Sequence, residues 1–167
     1  MIHCFAPIVR PQTRVLIIGS MPSIKSLDLQ QYYAHPRNQF WKLIFDLLEN
    51  GRKPVDYTDK VNALLNHRIG LWDVFAACHR EGSLDSHITR KQPNDFPALF
   101  HTYPAIKTLL FSGKTAYTYF LHTFGTLEKN CYSLPSTSPA MAQLSYLEKR
   151  AIWKQTFIRA GLLGPNS

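Results

Sequence analysis

Cysteine is scarce in this sequence, and the three cysteines present, Cys4, Cys78 and Cys131, lie far apart. An odd number of widely separated cysteines does not predict a disulfide framework, and three thiolates are too few for a four-cysteine iron–sulfur cluster. The histidines lack the His-Glu-x-x-His and His–Cys spacings of zinc sites. We therefore expect reduced thiols and neither a metal nor an iron–sulfur cluster.

Long apolar runs are missing as well. No run approaches the roughly 18 residues of a membrane span, and Met1–Cys4 lacks the basic-then-apolar pattern of a signal peptide. No spacer, repeat or low-complexity tract divides the chain. We expect a single domain over residues 1–167 that does not enter a membrane and is cytoplasmic, or nucleoid-associated if bacterial.

Acidic residues are few relative to basic ones. The 11 Asp and Glu residues face 19 Lys and Arg, which gives a formal net charge of +8. Lys and Arg release counterions when they approach phosphates, so this excess favours a nucleic acid as partner. The alternative is that the charge only keeps the protein in solution.

The glycines do not form a known catalytic or nucleotide-binding motif. Neither G-x-G-x-x-G nor G-x-x-x-x-G-K-[ST] is present, which argues against a dinucleotide fold and a P-loop. The G-x-S-x-G turn of α/β-hydrolases is also absent.

Hydrophobic patterning predicts strands that alternate with helices. Short apolar segments are predicted as strands over Arg14–Ser20, Ile69–Cys78, Ile106–Gly113 and Asn130–Ser136. Amphipathic segments are predicted as helices over Gln39–Asn50, Thr58–Arg68, Asn94–Tyr103, Lys114–Phe124 and Ala140–Leu162. This alternation predicts an α/β fold, a parallel sheet with helices on both faces.

Functional residues of such folds lie beyond the carboxyl ends of the strands. Four segments occupy these positions, and we name them loops one to four: residues 20–38, 78–93, 112–114 and 135–139.

Loop one and its continuation, YYAHPRNQFW, combine aromatic rings with a cation and an amide. Tyr32, Tyr33 and Phe40 are candidate platforms on which a base stacks, and Arg37 is a candidate phosphate ligand. Phe40 can equally be a core residue at the start of a helix, as helical periodicity predicts for Trp41.

Loop four has the sequence PSTSP, which places three hydroxyls between two prolines. Hydroxyls and rigid backbone amides suit DNA phosphates, although an ordinary turn with a serine cap has the same composition. In loop two, Asp85 and His87 are a possible catalytic pair, but we expect the charges of this loop to be solvated.

Five segments occur together in a fixed order: LIIGSMPS, YYAHPRNQFW, GLWDVFAACHREGSLDSHI, FSGKTAY and LPSTSPA. In combination they resemble the uracil-DNA glycosylase superfamily and, within it, the hypoxanthine-DNA (deoxyinosine) glycosylase branch. The resemblance implies a three-layer α/β/α fold with a central four-stranded parallel sheet. It also implies a monomeric, monofunctional enzyme that flips a deaminated base out of DNA and cleaves its N-glycosidic bond without metal or cofactor.

The resemblance also implies roles for individual residues. Met21 stands where the mismatch-specific branch has a catalytic asparagine, and Asn38 matches the asparagine that the hypoxanthine branch is thought to use instead. Asn38 would position the attacking water, although asparagine before a helical run is also a common N-cap. His35 is a second candidate, either as a donor to the departing base or as a support for the loop.

The remaining implied site residues fall into two groups. The base would contact Gly19, Ser20, Met21, Pro22, Ser23, Tyr33, Phe40 and Ser112. The DNA backbone would contact Arg37, Lys114, Pro135, Ser136, Thr137, Ser138 and Pro139, with a purely surface role for Lys114 as the alternative.

Two substitutions leave the base preference open. Ser136 replaces a usual His or Asn, and Ser112 replaces an Asn that often precedes the glycine. The alternatives are therefore a glycosylase for uracil, xanthine or mismatched bases, or a DNA-binding module of the same fold that has lost catalysis. A nucleoside hydrolase for small molecules fits the charge less well.

Overall fold

Strands and helices alternate along the chain in a computed structural model that describes residues 1–167. The strands are β1 (Ile2–His3), β2 (Val15–Gly19), β3 (Ile69–Asp73), β4 (Phe75–His79), β5 (Thr89–Pro93), β6 (Thr108–Ser112) and β7 (Asn130–Leu134). The α-helices are α1 (Ile24–Leu29), α2 (Phe40–Leu48), α3 (Tyr57–Asn66), α4 (Phe96–Thr102), α5 (Lys114–Phe124) and α6 (Tyr146–Arg159). A 3₁₀ turn covers Asp85–His87.

The central sheet has four parallel strands in the order β3-β2-β6-β7. From β2 the chain first adds β3 on one side and later adds β6 on the other side. The strand order therefore reverses between β2 and β6, and in open α/β sheets the ligand crevice lies at such a point. The register places Gly19 of β2 beside Asp73 of β3.

Two apolar layers cover the two faces of this sheet. Because side chains alternate along a strand, Ile17 packs into one layer with Phe40 and Trp153, while Ile18 packs into the other with Phe120. Helices α2, α3 and α6 supply the first layer, and α4 and α5 supply the second. The predicted three-layer α/β/α fold with a four-stranded parallel sheet is confirmed.

The prediction of one buried strand over Ile69–Cys78 is wrong. The chain leaves the central sheet at Val74, whose N–H donates to the Gly19 carbonyl and whose carbonyl accepts from the Asn94 N–H. The following strand, β4, belongs to a second, antiparallel sheet in the order β1-β4-β5. Part of loop two, predicted as irregular, therefore forms β5.

The predicted helices are present, but several begin elsewhere. Helix α6 starts at Tyr146 rather than Ala140, because Ser145 and Glu148 form a reciprocal capping box there. Helix α4 begins at Phe96, after the N-cap Asp95, rather than at Asn94. The short helix α1 lies within loop one, where no helix is predicted. None of the helices combines the length and apolar character needed to cross a bilayer.

Candidate active site

A cavity of about 580 Å³ lies at the carboxyl edge of the central sheet. Its floor is formed by the ends of three strands, at Gly19, Asp73 and Ser112, and its walls come from loops one, two and four. A cavity of this size accommodates a small polar ligand such as a nucleobase.

Most of the predicted site residues meet in this cavity. Its lining includes Gly19, Ser20, Met21, Pro22, Ser23, Tyr33, His35, Arg37, Asn38, Ser112, Ser136, Thr137, Ser138 and Pro139. Phe40, Lys114 and Pro135 are the predicted residues that do not line it. The sheet edge thus brings together residues that are more than 100 positions apart in the sequence.

Phe40 is not an exposed stacking platform. Its ring is completely buried, lies against Tyr33 at 3.9 Å between centroids and 19° between planes, and contacts Trp153 edge-on. Tyr33 lines the cavity while Phe40 does not. The platform that faces the cavity is therefore the Tyr33 ring, which Phe40 supports from behind.

Tyr32 and Trp41 belong to the core rather than to a stacking surface. The Tyr32 hydroxyl donates to the Ala6 carbonyl at 3.0 Å, and Trp41 Nε1 donates to the Tyr32 carbonyl at 2.9 Å. Both side chains are buried, which confirms the expectation that Trp41 is a core residue. Tyr32 also touches the cavity lining, but its ring is packed in the core, so it is not an exposed stacking surface.

Tyr33 adopts an uncommon backbone conformation. Its φ of 54° lies in the left-handed region, which costs an L-residue about 1–2 kcal/mol. Such strain in a large side chain persists where the surrounding structure holds it, often at functional sites. Here it places the Tyr33 ring on Phe40, and burial followed by the nearby Asp73 charge raises the pKa of the Tyr33 hydroxyl.

Asn38 has a structural role that leaves part of its amide free. Its Oδ1 accepts from the Phe40 N–H at 2.9 Å, which satisfies an amide at the start of α2. The capping role considered from sequence is therefore present. Asn38 lines the cavity, its amide oxygen can accept a second hydrogen bond, and its NH₂ has no partner within the protein.

His35 is oriented by the turn that carries Asn38. The Arg37 N–H donates to His35 Nδ1 at 3.1 Å, and the Asn38 N–H donates to the His35 carbonyl at 2.9 Å. Because Nδ1 accepts, the proton of the neutral ring lies on Nε2. His35 thus both shapes the turn and presents a donor at the cavity.

Two predicted phosphate contacts lie outside the cavity. Lys114 is the first residue of α5, and its side chain is exposed away from the lining. The Pro135 carbonyl accepts from Trp153 Nε1 at 3.0 Å, which ties loop four to α6. Pro135 therefore anchors the loop rather than lining the site.

The loop-four hydroxyls hold the loop in shape. Ser136 Oγ accepts from the Ser138 N–H at 3.1 Å, and Ser138 Oγ accepts from the Ala140 N–H at 3.2 Å. Thr137 is buried, its hydroxyl has no partner, and its carbonyl accepts from the Gln39 N–H at 3.1 Å. This last bond joins loop four to the start of α2. The ordinary-turn interpretation thus describes the local hydrogen bonding, while Ser136 and Ser138 can still donate.

The charged side chains of loop two are mostly exposed, as expected, but two of them, Arg80 and Asp85, also form hydrogen bonds at the site. Arg80 donates to the carbonyls of Pro22 and Gly82, which fastens loop one to loop two. Asp85 accepts from Ser20 Oγ at 2.6 Å and lines the cavity. Asp85 forms no hydrogen bond with His87, whose Nδ1 lies 3.3 Å from the Glu81 carbonyl, so the two do not form a pair.

Asp73 is a charged cavity residue that the sequence patterns did not reveal. It ends β3, lines the cavity and is 4% exposed. Because its neighbours in GLWDVF are mostly apolar, the segment is predicted as one continuous buried strand. The carboxylate itself could have indicated a functional residue, because a charged side chain is rarely buried inside an apolar strand without a partner. No group of three or more His, Cys, Asp or Glu residues is arranged to hold a metal ion.

The family model of the Uracil DNA glycosylase superfamily matches residues 6–159. The chain belongs to the uracil-DNA glycosylase superfamily. A Methanosarcina acetivorans protein named Hypoxanthine DNA glycosylase is 37% identical to this chain over 155 residues, which cover 92% of this chain and 96% of the relative. A Methanosarcina barkeri protein of the same name is 38% identical over 115 residues, 69% of this chain and 73% of the relative.

A solved structure has the same fold. The solution NMR structure of a Methanosarcina acetivorans protein provisionally named a uracil DNA glycosylase superposes with a TM-score of 0.79 at 35% identity. The match covers 95% of this chain and 98% of the other. The superfamily assignment accounts for a base-sized cavity at the switch point of the sheet.

Proposed function

We propose that this protein is a monofunctional DNA glycosylase that excises hypoxanthine from deoxyinosine in base excision repair. The single observation that carries the proposal is the cavity that holds Asn38 and Tyr33 in a chain 37% identical to a hypoxanthine DNA glycosylase. Family membership supports DNA glycosylase activity in general, and the names of the relatives support hypoxanthine as the base.

The target base must leave the duplex to reach this cavity. Extrusion costs a few kcal/mol and favours mispaired bases, such as hypoxanthine opposite thymine. The flipped purine would lie on the Tyr33 ring, where stacking contributes about 1–3 kcal/mol. Backbone groups of Gly19 to Ser23 line the same wall and would contact the edge of the base.

Asn38 would place the water that attacks the sugar. Cleavage of glycosidic bonds passes through an oxocarbenium-like sugar, so a weakly activated but well-placed water is sufficient when the leaving group is good. The NH₂ and the second lone pair of Oδ1 are available for this water because only one hydrogen bond of the amide is used in capping. His35 Nε2 would supply a donor near the base or the phosphate.

The DNA backbone would follow the exposed rim of the cavity. Arg37, Ser136, Ser138 and Pro139 lie on this rim, and the formal charge of +8 supports a polyanionic partner. We expect a single domain that acts as a monomer without cofactor, in the cytoplasm or nucleoid.

The Asn38 assignment is tested with three forms of the protein on duplexes that contain one hypoxanthine. Asn38→Ala removes both the cap and the proposed water ligand, whereas Asn38→Ser keeps an oxygen that can cap α2 but loses the amide. We expect both variants to bind DNA and to lose at least about 100-fold in excision, with only Asn38→Ala destabilised, by about 1 kcal/mol. Alkali-labile strand breaks measure excision. Wild-type excision by Asn38→Ser would show that the amide only caps the helix.

A further inference from the structure

One carboxyl group in the cavity floor has no structural partner. Asp73 is 4% exposed, Oδ2 is buried without a hydrogen bond, and no protein group donates to Oδ1 either. The hydrogen bond that Asn94 makes to this residue is to its backbone: Asn94 Nδ2 donates to the Asp73 main-chain carbonyl at 2.7 Å. Any residue at position 73 would offer that carbonyl, so the side chain itself is not needed for the contact.

The fold nevertheless makes room for this carboxyl. A Cβ on Gly19, the neighbouring residue in the sheet, would lie 2.7 Å from Asp73 Oδ1 and 3.1 Å from the Tyr33 hydroxyl. Glycine at the end of β2 thus allows the carboxyl and the stacking tyrosine to approach each other at the cavity floor. A buried, unpaired carboxyl is costly and is found where its chemistry is used.

The groups around Asp73 favour its neutral form. Burial and, less strongly, the charge of Asp85 raise the pKa of Asp73, the positive charge of Arg80 opposes them, and the net result is a pKa of about 7. The other titratable neighbours are the hydroxyls of Tyr32 and Tyr33 and the Cys4 thiol. Their pKa values are raised by burial and also by the Asp73 charge, so they stay uncharged at neutral pH.

We propose that Asp73 is a catalytic general acid, whose carboxyl O–H protonates a ring nitrogen of the flipped purine while the glycosidic bond breaks. This inference rests on the proposed excision of hypoxanthine. It divides the reaction between two residues of one cavity, with Asn38 placing the water and Asp73 neutralising the leaving group.

The step balances without any further reactant. The C1′–N9 bond breaks, its electron pair goes to the base, and the Asp73 proton moves to the base, so that neutral hypoxanthine leaves. The water adds through its oxygen to the C1′ cation and releases a proton to solvent. The Asp73 carboxylate then takes a proton from solvent and is ready for the next cycle.

The same chemistry distinguishes a purine from uracil. Hypoxanthine has unsubstituted ring nitrogens, N3 and N7, that accept a proton. In uracil, one ring nitrogen carries the sugar and the other carries hydrogen, so only carbonyl oxygens remain as acceptors. A buried acid in the cavity floor therefore assists the departure of a purine more than that of uracil, so Asp73 would also favour hypoxanthine over uracil.

The test is the pH dependence of single-turnover excision from hypoxanthine duplexes, between pH 5 and 9. In the wild type, we expect the rate to fall as pH rises through about 7, because only protonated Asp73 is active. Asp73→Asn keeps the size and shape of the side chain. We expect it to bind DNA within a few-fold of wild type, to excise about 100- to 10,000-fold more slowly at pH 6, and to lack this fall in rate.

A second variant leaves Asp73 intact. Asp85→Asn removes the neighbouring charge that raises the Asp73 pKa, so we expect the fall in rate to move to lower pH. Asp73→Asn with the wild-type rate or with the same fall would overturn the inference, as would an unmoved fall in Asp85→Asn. Neither result would affect the proposed function, which fails separately if the wild type produces no abasic sites from hypoxanthine DNA.

Discussion

At the scale of single residues, the site depends on a few positions with an unusually close contact or an unusual backbone conformation. Gly19 is one, because any Cβ there would collide with Asp73 and crowd the Tyr33 hydroxyl. Tyr33 is another, since its left-handed backbone holds the ring against Phe40. The cavity is therefore specified by close approach and strain as much as by the functional groups that it displays.

The buried acid has a consequence for stability that does not depend on activity. The pKa of Asp73 is about 7 in the folded protein against an ordinary 3.8, so between these pH values folding takes up a proton. The contribution of Asp73 to the free energy of unfolding is thus largest below pH 4. It decreases by about 4 kcal/mol between pH 4 and pH 7 and then levels off.

Asp73→Asn has no such titration. Relative to wild type, we expect its free energy of unfolding to increase steadily from pH 4 to pH 8, as measured by urea unfolding at each pH. Parallel pH curves for the two proteins would contradict a neutral, buried Asp73.

Sequence predicted most of the site at this scale because its residues follow strand ends or occur in the resembling segments. Asp73 was missed because the apolar residues around it indicated a continuous strand. Phe40 was misplaced for a different reason, since periodicity indicates which helix positions are buried but not which ring lies in front of another. In the structure Tyr33 lies in front of Phe40 with a positive φ, a backbone conformation that no sequence pattern indicates.

At the scale of elements, the cavity depends on contacts that join separate loops. Arg80 follows β4 and donates to the carbonyls of Pro22 in loop one and Gly82 in loop two. Gln39 and Trp153 bind the backbone of loop four. The second sheet carries loop two to the cavity, so it positions Asp85 although it lies outside the central fold.

Arg80→Met tests the link between loops one and two. Two hydrogen bonds from a charged donor are lost, so we expect a decrease of about 2 kcal/mol in the free energy of unfolding and faster hydrogen exchange in residues 20–30. Arg159→Met is the control, because Arg159 is exposed and its side chain has no hydrogen-bond partner. Equal exchange in wild type and Arg80→Met would show that the loops hold without this link.

Element prediction succeeded where apolar periodicity is strong and failed where short polar segments take their structure from neighbours. Helix α5 begins and ends as predicted, at Lys114 and Phe124. Strand β5, with the sequence TRKQP, is exposed along its length and exists because it pairs with β4. Helix α1 is six residues long and is set by the Ser23 cap, which a single sequence indicates only weakly.

At the scale of the whole molecule, the reversal of strand order determines where the cavity lies. Strands β2, β3 and β6 end side by side, which brings Gly19, Asp73 and Ser112 to one floor. The alternation of strands and helices in the sequence is sufficient to predict this edge. The second sheet could not be predicted because β1 pairs with the distant β4 and because β5 is polar along its length. The positive charge of the chain accords with a DNA partner at the open side of this edge.

The most direct test of the central claim is to identify the base that the protein releases. Equal amounts of duplexes containing one hypoxanthine, one uracil or one xanthine are incubated together with the wild type, and the free bases are quantified by mass spectrometry. We predict release of hypoxanthine, in an amount equal to the abasic sites formed, ahead of uracil. Release of uracil with hypoxanthine left in the DNA would contradict the proposed function, since the buried acid in the cavity floor would then have no purine to protonate.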